Sequence, residues 1–493
     1  MSDTPSKRAL SRREAIKALG VGGAAAIAVD PLLAQGPAQS SAHRVDVVIV
    51  GAGFAGMMAA RSLIRSGKKV VVLEARNRVG GRAKPAMLAG HPIDGGAMWV
   101  GPTQTRLLET IKEYGLHTRP QFLKGKNILE VNGKRVTADG ETAGWEAATQ
   151  AECDRVTAEL DRLSAQVVLE APWTTPQAET LDRLTVEEWL KANTKDKIVL
   201  RYFESATRAL FTADPYQMSF LYFLFYLRSG DNFNALYGFD ENSAQAFLVN
   251  ESMHQVAVKV AAKLGDAIRL ETPVTAIAQD GAGVTVVSGK GEWRGDYAIV
   301  AVPLPLSVRM TYTPPLPSHR DALAQHMPMG SVIKYWVAYE KPFWRERGLN
   351  GLLGSDEPPS NLVAADTTPA AGVPGFLTAF IDAAGALEWS GRPMEERKKM
   401  IVDRIVSFLG PEAANPIDYE DQDWPSDPWS RGCFGASMGP GVMTTLGKII
   451  REPHGRIHWA GSETSTRWMG YIDGAIRSGE RAAAEILANY KPK

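Results

Sequence analysis

Residues 45–74 constrain this chain more than any other segment. Residues 45–50 are a short, nearly continuous apolar run rich in Val and Ile, the pattern of a strand buried in a parallel sheet. Residues 54–66 then carry apolar side chains at helical spacing, with Met57, Ala60, Leu63 and Ile64 on one side. Residues 69–73 are a second buried strand. Strand, helix and strand within about 30 residues make one βαβ unit. Between the first strand and the helix stands Gly51-Ala52-Gly53-Phe54-Ala55-Gly56. Gly51 permits the tight turn, Gly53 lets the backbone approach a pyrophosphate, and Gly56 lets helix and strand pack closely. The helix N-terminus turns its dipole and free N–H groups toward phosphate. Glu74 ends the second strand about 20 residues on, where a carboxylate can hold ribose hydroxyls. The unit predicts a bound dinucleotide. By itself it does not choose between a flavin and a nicotinamide.

The next segment separates the two better. Arg78-Val79-Gly80-Gly81-Arg82 follows the second strand almost at once, and Asp94-Gly95-Gly96-Ala97 comes after it. A nicotinamide domain would more typically continue here into another helix and strand. Further on, residues 104–114 read as a helix and 145–227 as a largely helical stretch. Within that stretch Thr185 and Glu188 have the spacing of a capping box. Strands follow at 274–278, 284–288, 297–302, 332–339 and 376–381. A helix at 395–409, a late strand at 457–460 and a helix at 474–490 complete the pattern.

The chain's 493 residues suffice for about two to three domains. Its 55 basic and 55 acidic residues cancel, which argues against a dedicated nucleic-acid binder. Two cysteines, Cys153 and Cys433, are too few for a disulfide framework. No Cys/His cluster has zinc spacing, and His254, His326, His454 and His458 are scattered, so no metal is expected. Ser11-Arg12-Arg13-Glu14-Ala15-Ile16-Lys17, with the Ala/Gly-rich stretch 18–34 after it, resembles a twin-arginine export signal. Ala15 stands where that motif prefers Phe, and Asp30 interrupts the apolar run. Leu32-Leu33-Ala34 is a candidate cleavage site. Residues 1–40 are therefore read as signal and linker, and a periplasmic or secreted location is expected. That route carries folded proteins, so a cofactor can be inserted before transport. The signal is too short and Gly-rich for a membrane span, and residues 481–493 read as a polar-faced helix. No stable membrane anchor is expected.

Four later blocks join the fingerprint. The first is Asp94-Gly95-Gly96-Ala97-Met98-Trp99-Val100-Gly101-Pro102. The second is Gly330-Ser331-Val332-Ile333-Lys334, with Pro342-Phe343-Trp344 after it. The third is Trp424 with Ser430-Arg431-Gly432-Cys433-Phe434 and Pro440-Gly441. The fourth is Trp459-Ala460-Gly461-Ser462-Glu463-Thr464 with Trp468-Met469-Gly470-Tyr471-Ile472-Asp473-Gly474-Ala475. On these blocks, residues 45–484 resemble the flavin-containing amine oxidase superfamily, and within it the monoamine oxidase branch, of a bacterial, twin-arginine-exported type.

The resemblance implies an α/β fold. A Rossmann-like FAD-binding domain of the glutathione-reductase type, from residues 41–120, 240–310 and 424–493, would interleave with a substrate domain of mixed sheet and helices, from 121–239 and 311–423. FAD would be held by Gly51, Gly53, Phe54, Ala55, Gly56, Glu74, Ala75, Arg76, Gly81, Arg82, Gly96, Ala97, Met98, Trp99, Val274, Trp424, Cys433, Gly461, Ser462, Glu463, Gly470, Tyr471, Ile472 and Ala475. Lys334 matches the lysine that holds a water near flavin N5. Phe434 and Tyr471 match the two aromatics that align the amine, with Phe in place of the more usual Tyr. Cys433 matches the cysteine that bonds covalently to the flavin 8α carbon. Cys153 has no such context and reads as structural.

The implied reaction is oxidation of a primary or secondary amine to an imine. The α C–H hydride passes to flavin N5, and O2 reoxidises the flavin to give H2O2. Three alternatives stand beside it. One is an amine dehydrogenase passing electrons to a periplasmic acceptor such as a cytochrome. Another is an L-amino-acid oxidase with Arg208 or Arg228 as the cation for the carboxylate. The third is a non-catalytic flavin-binding scaffold. The partners implied are a small amine and an electron acceptor; a homodimer is compatible with the resemblance, and no nucleic acid is implied.

Two departures bear on the site. The family's Gly-Gly pair is missing from Leu248-Val249-Asn250-Glu251-Ser252-Met253-His254-Gln255, which leaves the local backbone path open. Arg431 stands where the closest branch tends to have Gly. Gly435-Ala436-Ser437-Met438-Gly439 matches G-x-S-x-G, but with no apolar strand expected before it and no clear helix after it, it is not read as a nucleophile elbow.

Overall fold

A computed structural model describes residues 43–490, apart from 132, 140–143, 358, 360, 361, 370, 371 and 373. The export signal read at residues 1–40 lies outside the described residues. The fingerprint strand forms over Val47–Val50 with every residue buried. It pairs in parallel with Val70–Leu73 on one edge and Tyr297–Val300 on the other. Ile268–Arg269 and Ile457–Trp459 extend the two edges, giving five parallel strands.

Such a sheet must be covered on both faces, and the alternation of side chains shows how. Val47, Ile49, Val70 and Val72 share a core with the helix Phe54–Arg65 and the late helix Ile472–Asn489. Val48, Val50, Val71 and Leu73 pack instead on Ile277, Val286 and Trp293 of a second sheet. The two helices meet backbone to backbone, since a Cβ at Gly479 would sit 2.1 Å from the Ala55 carbonyl oxygen.

The second sheet also has five strands, including Val274–Asp280 and Gly283–Ser288. Its edge strand Thr311–Thr313 pairs with residues 276–278. The sheet thus runs past the domain boundary expected at residue 310. The five strands of the parallel sheet all fall in the segments expected to bind FAD.

A seven-stranded sheet is built from residues 126–138, 332–382 and 418–423. Its strand Val332–Tyr339 is buried along its full length and bonded antiparallel on both sides. Ile333, Tyr335, Val337 and Tyr339 point into a core with Ile401, Ile405 and Phe408. Period two then puts Val332, Lys334, Trp336 and Ala338 on the opposite face. There Trp336 and Ala338 pack on Leu88, Ile93 and Phe376, and Val332 packs on Trp424 and Cys433.

Helices Ala147–Ser164, Val186–Asn193, Lys197–Phe211 and Phe220–Ser229 surround a third core. Nine of the ten residues of Phe220–Ser229 are buried, as its aromatic and apolar sequence requires. The capping box at Thr185 is present: its hydroxyl accepts from Glu188 N at 3.1 Å, and the Glu188 carboxylate accepts from Thr185 N at 2.8 Å. Among the described residues no helix is long and apolar enough to cross a membrane.

The segment lacking the glycine pair turns sharply nonetheless. Ser252 caps the helix Met253–Leu264 at φ 86°, ψ 149°, a region essentially reserved for glycine. The Asp94 carboxylate secures the turn by accepting from Met253 N at 3.0 Å and His254 N at 3.3 Å. A strand, Cys433–Ala436, does lead into the G-x-S-x-G match, contrary to expectation. It pairs antiparallel with Met329–Gly330, and Ser437 is buried rather than raised on a turn. The match stays without a nucleophile's geometry.

Candidate active site

The fingerprint loop leaves the C-terminal end of Val47–Val50 and is braced from beneath. Glu74 is buried, and its carboxylate accepts from Ala52 N at 2.7 Å and from Arg76 N at 2.9 Å. One carboxylate therefore fixes the glycine turn as well as standing where ribose is expected. Gly51 needs its freedom, with φ 102° and a Cβ position 2.8 Å from the Ala301 carbonyl oxygen. A Cβ at Gly53 would meet nothing within 4 Å, so the loop presents bare backbone to open space there.

Arginines join this loop to residues far along the chain. Arg76 donates to Asp427 and to the Ser430 hydroxyl, each at 2.7 Å. Arg82 donates to the Phe434 carbonyl at 2.6 Å and reaches Ser462 and Glu463 at 3.5 Å. Arg78, half enclosed beside Arg76, has its pKa lowered to about 10, chiefly by burial. Gly96 lies flush against this segment: a Cβ would sit 1.8 Å from the Arg82 carbonyl oxygen and 3.0 Å from Trp424.

Lys334 reaches the same loop from the seven-stranded sheet. It is 2% exposed. Its Nζ donates to the carbonyls of Asp94 at 3.1 Å and Gly96 at 2.6 Å, and to Met98 Sδ at 2.9 Å. The Trp336 ring lies 4.3 Å from the nitrogen. Burial lowers the ammonium's pKa, partly offset by Asp94, whose own carboxyl is raised by burial. All three N–H directions are committed, so a water held by Lys334 would replace one of these acceptors; the thioether is the weakest.

The remaining wall is irregular. Arg431, Gly432 and Phe434 all have positive φ, at 55°, 141° and 60°. Gly432 has no room for a Cβ, which would lie 2.5 Å from the Gly330 carbonyl oxygen. The twist leaves Cys433 buried between Val332 and Trp424. Burial pushes its thiol pKa up, opposed by Arg82 and Lys334. Phe434 packs edge-on to Phe380 at 5.6 Å. Tyr471 caps the helix Ile472–Asn489, and its ring lies 6.1 Å from that of Tyr226. Tyr226 Oη donates to the Leu210 carbonyl at 3.5 Å, and burial pushes Tyr471 up to about 12.

These parts enclose one cavity of about 630 Å³. Lys334, Phe434 and Tyr471 line it, as does every residue expected to hold FAD except Gly56. Gly56 is a packing residue: its Cβ would sit 2.0 Å from the Gly51 carbonyl oxygen, so only glycine lets the helix close on the turn. Cys153 lies in the helical core, its thiol pushed up to about 12 by burial.

Trp145, Tyr202 and Phe239 lie in the helical segment and the stretch 234–247, expected to line the entrance, whereas Gln104, Leu129 and Leu352 were missed by the sequence reading. Most are ordinary apolar positions with no motif around them. Arg208 and Arg228 do not line the cavity, and Arg208 is paired with Asp214 at 2.7 Å. The cavity suits an elongated dinucleotide. It offers bare backbone at Gly53, a buried acid at Glu74, and at Gln104 a buried amide whose oxygen and nitrogen both lack partners. FAD would lie along the wall from Glu74 and Val274 past the glycine loops to Cys433 and Tyr471.

The model of the family described as "Flavin containing amine oxidoreductase" matches residues 54–487. The chain belongs to this family. As a flavin-containing amine oxidoreductase it binds FAD and oxidises amines. It is 37% identical over 444 residues to a putative flavin-containing monoamine oxidase AofH of Mycobacterium tuberculosis, covering 90% of this chain and 97% of that one. It is also 37% identical over 457 residues to an L-amino acid dehydrogenase of Synechocystis sp., covering 90% and 94%. A solved putrescine oxidase with putrescine bound superposes with a TM-score of 0.87 at 33% identity, covering 90% of this chain and 99% of that one. Among flavin-containing amine oxidoreductases, then, likeness of sequence and of fold both extend over nearly the whole described chain.

Proposed function

We propose that this enzyme takes primary or secondary amines bearing an apolar group, converts them to imines, and returns its electrons to O2. The observation that carries the reading is the shared cavity. The wall expected to hold FAD, the aromatics Phe434 and Tyr471, and Lys334 all face one space. Its other lining includes Leu129, Trp145, Ile198, Tyr202 and Leu352. Such a surface favours an apolar substituent over the zwitterion of a free amino acid.

Bound FAD supplies a two-electron acceptor. The residues do the rest. Phe434 and Tyr471 steer a neutral amine and exclude water, and the Tyr226 and Trp468 rings pack beside Tyr471. Placing the reacting carbon about 3 to 3.5 Å from its acceptor is the task of this enclosure. Lys334, kept low in pKa by burial, handles a proton during reoxidation. Cys433 is the candidate for a thioether to the flavin.

Anaerobic addition of a broad amine panel is expected to bleach the flavin's visible absorbance. No bleaching by any amine would leave the scaffold reading in its place. Fast turnover with a cytochrome and sluggish use of O2 would replace the oxidase reading by a dehydrogenase. The relative named as an L-amino acid dehydrogenase makes amino acids the second class to assay, although Arg208 and Arg228 lie off the cavity wall. Precipitation of denatured protein tests Cys433: yellow colour in the pellet supports the linkage, and flavin wholly in the supernatant refutes it. The paired Arg12 and Arg13 further support export in folded form. Retention of an Arg12→Lys, Arg13→Lys variant in the cytoplasm is the expected result.

A further inference from the structure

Gln104 is a buried polar side chain that the roles above leave unused. It is 1% exposed, it lines the cavity, and neither Oε1 nor Nε2 has a hydrogen-bond partner. Burying both ends of a carboxamide unpaired is strongly unfavourable, so its partner belongs to what fills the cavity.

Its position is fixed from both sides. Gln104 immediately precedes the helix Thr105–Glu113. Thr103 O accepts from Trp468 Nε1 at 3.0 Å, and Leu107 N donates to Asp473 Oδ1 at 3.0 Å. Gln104 is therefore anchored to the 468–473 segment, whose Gly470, Tyr471 and Ile472 line the same cavity. Cys433, where the dimethyl end of the ring is expected, belongs to a different wall with Val332 and Trp424. Glu74 and Val274, at the expected adenosine end, stand at the end of Val70–Leu73 and the start of Val274–Asp280.

We propose that the Gln104 carboxamide hydrogen-bonds the pyrimidine edge of the bound flavin. A carboxamide carries one acceptor and one donor group side by side. Phosphates only accept. The flavin's imide edge, an N–H flanked by two carbonyls, matches both halves. Reduction of the flavin adds negative charge to this end of the ring. An N–H donor there stabilises the reduced form, in the same sense as the N-terminus of the Ile472–Asn489 helix. Gln104 would thus set the reduction potential as well as the seat of the ring.

The inference rests on FAD binding, and its test separates the two. Holoenzyme carrying Gln104→Leu or Gln104→Glu is purified, and its two-electron potential and visible spectrum are compared with wild type. Gln104→Leu is expected to shift the reduction equilibrium at least tenfold toward oxidised flavin, about 30 mV for a two-electron couple. Gln104→Glu, close in size and carrying a negative charge, is expected to shift it further. If Gln104→Leu fails to fold, Gln104→Glu carries the same readout. Unchanged potential and spectrum with full flavin content would overturn the proposal. So would weakened flavin retention at an unchanged potential, because the amide would then sit on the ribityl chain or phosphates. A wild-type protein purified without flavin absorbance would instead defeat the FAD reading itself.

Discussion

The two walls of the cavity are made in different ways. The fingerprint wall is regular, and its left-handed residues are glycines: Gly51 at φ 102°, Gly80 at 92° and Gly81 at 57°. The facing wall puts side chains where glycine would be easier: Arg431 at 55°, Phe434 at 60° and Trp468 at 51°, with Ser252 at 86° behind the 94–96 loop. The glycine turn of the first wall is braced within about 30 residues, by the Glu74 carboxylate on Ala52 N. The second is held by contacts hundreds of residues apart, such as Arg76 to Ser430 and Arg82 to Phe434. Strain of this kind persists where the surroundings over-determine the backbone, and it gathers at functional sites. A glycine turn can be built locally; the wall that faces it was assembled from several elements.

The largest expected effect breaks the regular wall. Gly56→Ala forces a Cβ to 2.0 Å from the Gly51 carbonyl oxygen, where backbone must move. A loss of about 3 kcal/mol in denaturant unfolding, with loss of bound flavin, is expected. A fully flavinylated variant of wild-type stability would show that the wall is not fixed by this contact.

Lys334→Met comes next, and it should separate stability from chemistry. Reoxidation measured by stopped flow is expected to fall about 100-fold, while stability holds or rises because a buried cation is gone. The pH dependence has a definite sign. The folded pKa of Lys334 lies below its ordinary 10.5, so the unfolded chain holds the proton over the interval between them. Wild type should therefore gain stability relative to Lys334→Met as pH rises toward 10.5. A difference that does not vary with pH would mean that Lys334 is not shifted.

Smaller gains are expected on the irregular wall. Ser252→Gly and Arg431→Gly each relieve a positive φ and should stabilise the fold by about 1 kcal/mol. Destabilisation at either site would show that its side-chain contacts outweigh its backbone strain. Tyr226→Phe should have the smallest effect, removing a hydroxyl from the cavity wall beside Tyr471 at a cost of about 0.5 kcal/mol. A rise in KM with little change in Tm is the expected signature.

Much of this was legible in the sequence. The strand at 332–339 lies where its apolar run predicts, and so does the capping box at Thr185. The helices at 104–114, 395–409 and 474–490 lie within two residues of their predicted ends. Other elements were not legible. The hairpin Lys126–Val131 with Lys134–Ala138 mixes Lys, Arg, Asn and Glu into its strands, so its alternation is weak. The strand Cys433–Ala436 is only four residues long with a glycine inside it, too short a run to signal a strand, and it forms by pairing with Met329–Gly330. Gln104 carried no signal, since a glutamine before a helix is unremarkable until both of its polar atoms prove buried.

The sequence alone determined the dinucleotide fold and pointed to many of the groups that line the cavity. Glycine turns, buried strands and helix starts are local physics, set by side chains within a few turns of one another. Only the tertiary structure decided that Lys334 donates into the 94–98 loop, that Gly56 is kept off the cavity wall, that Arg208 and Arg228 stay off it too, and that Gln104 is left with an amide to satisfy. Those facts depend on which face of a distant element is turned inward, and burial sets them only once the sheets and helices have closed on one another.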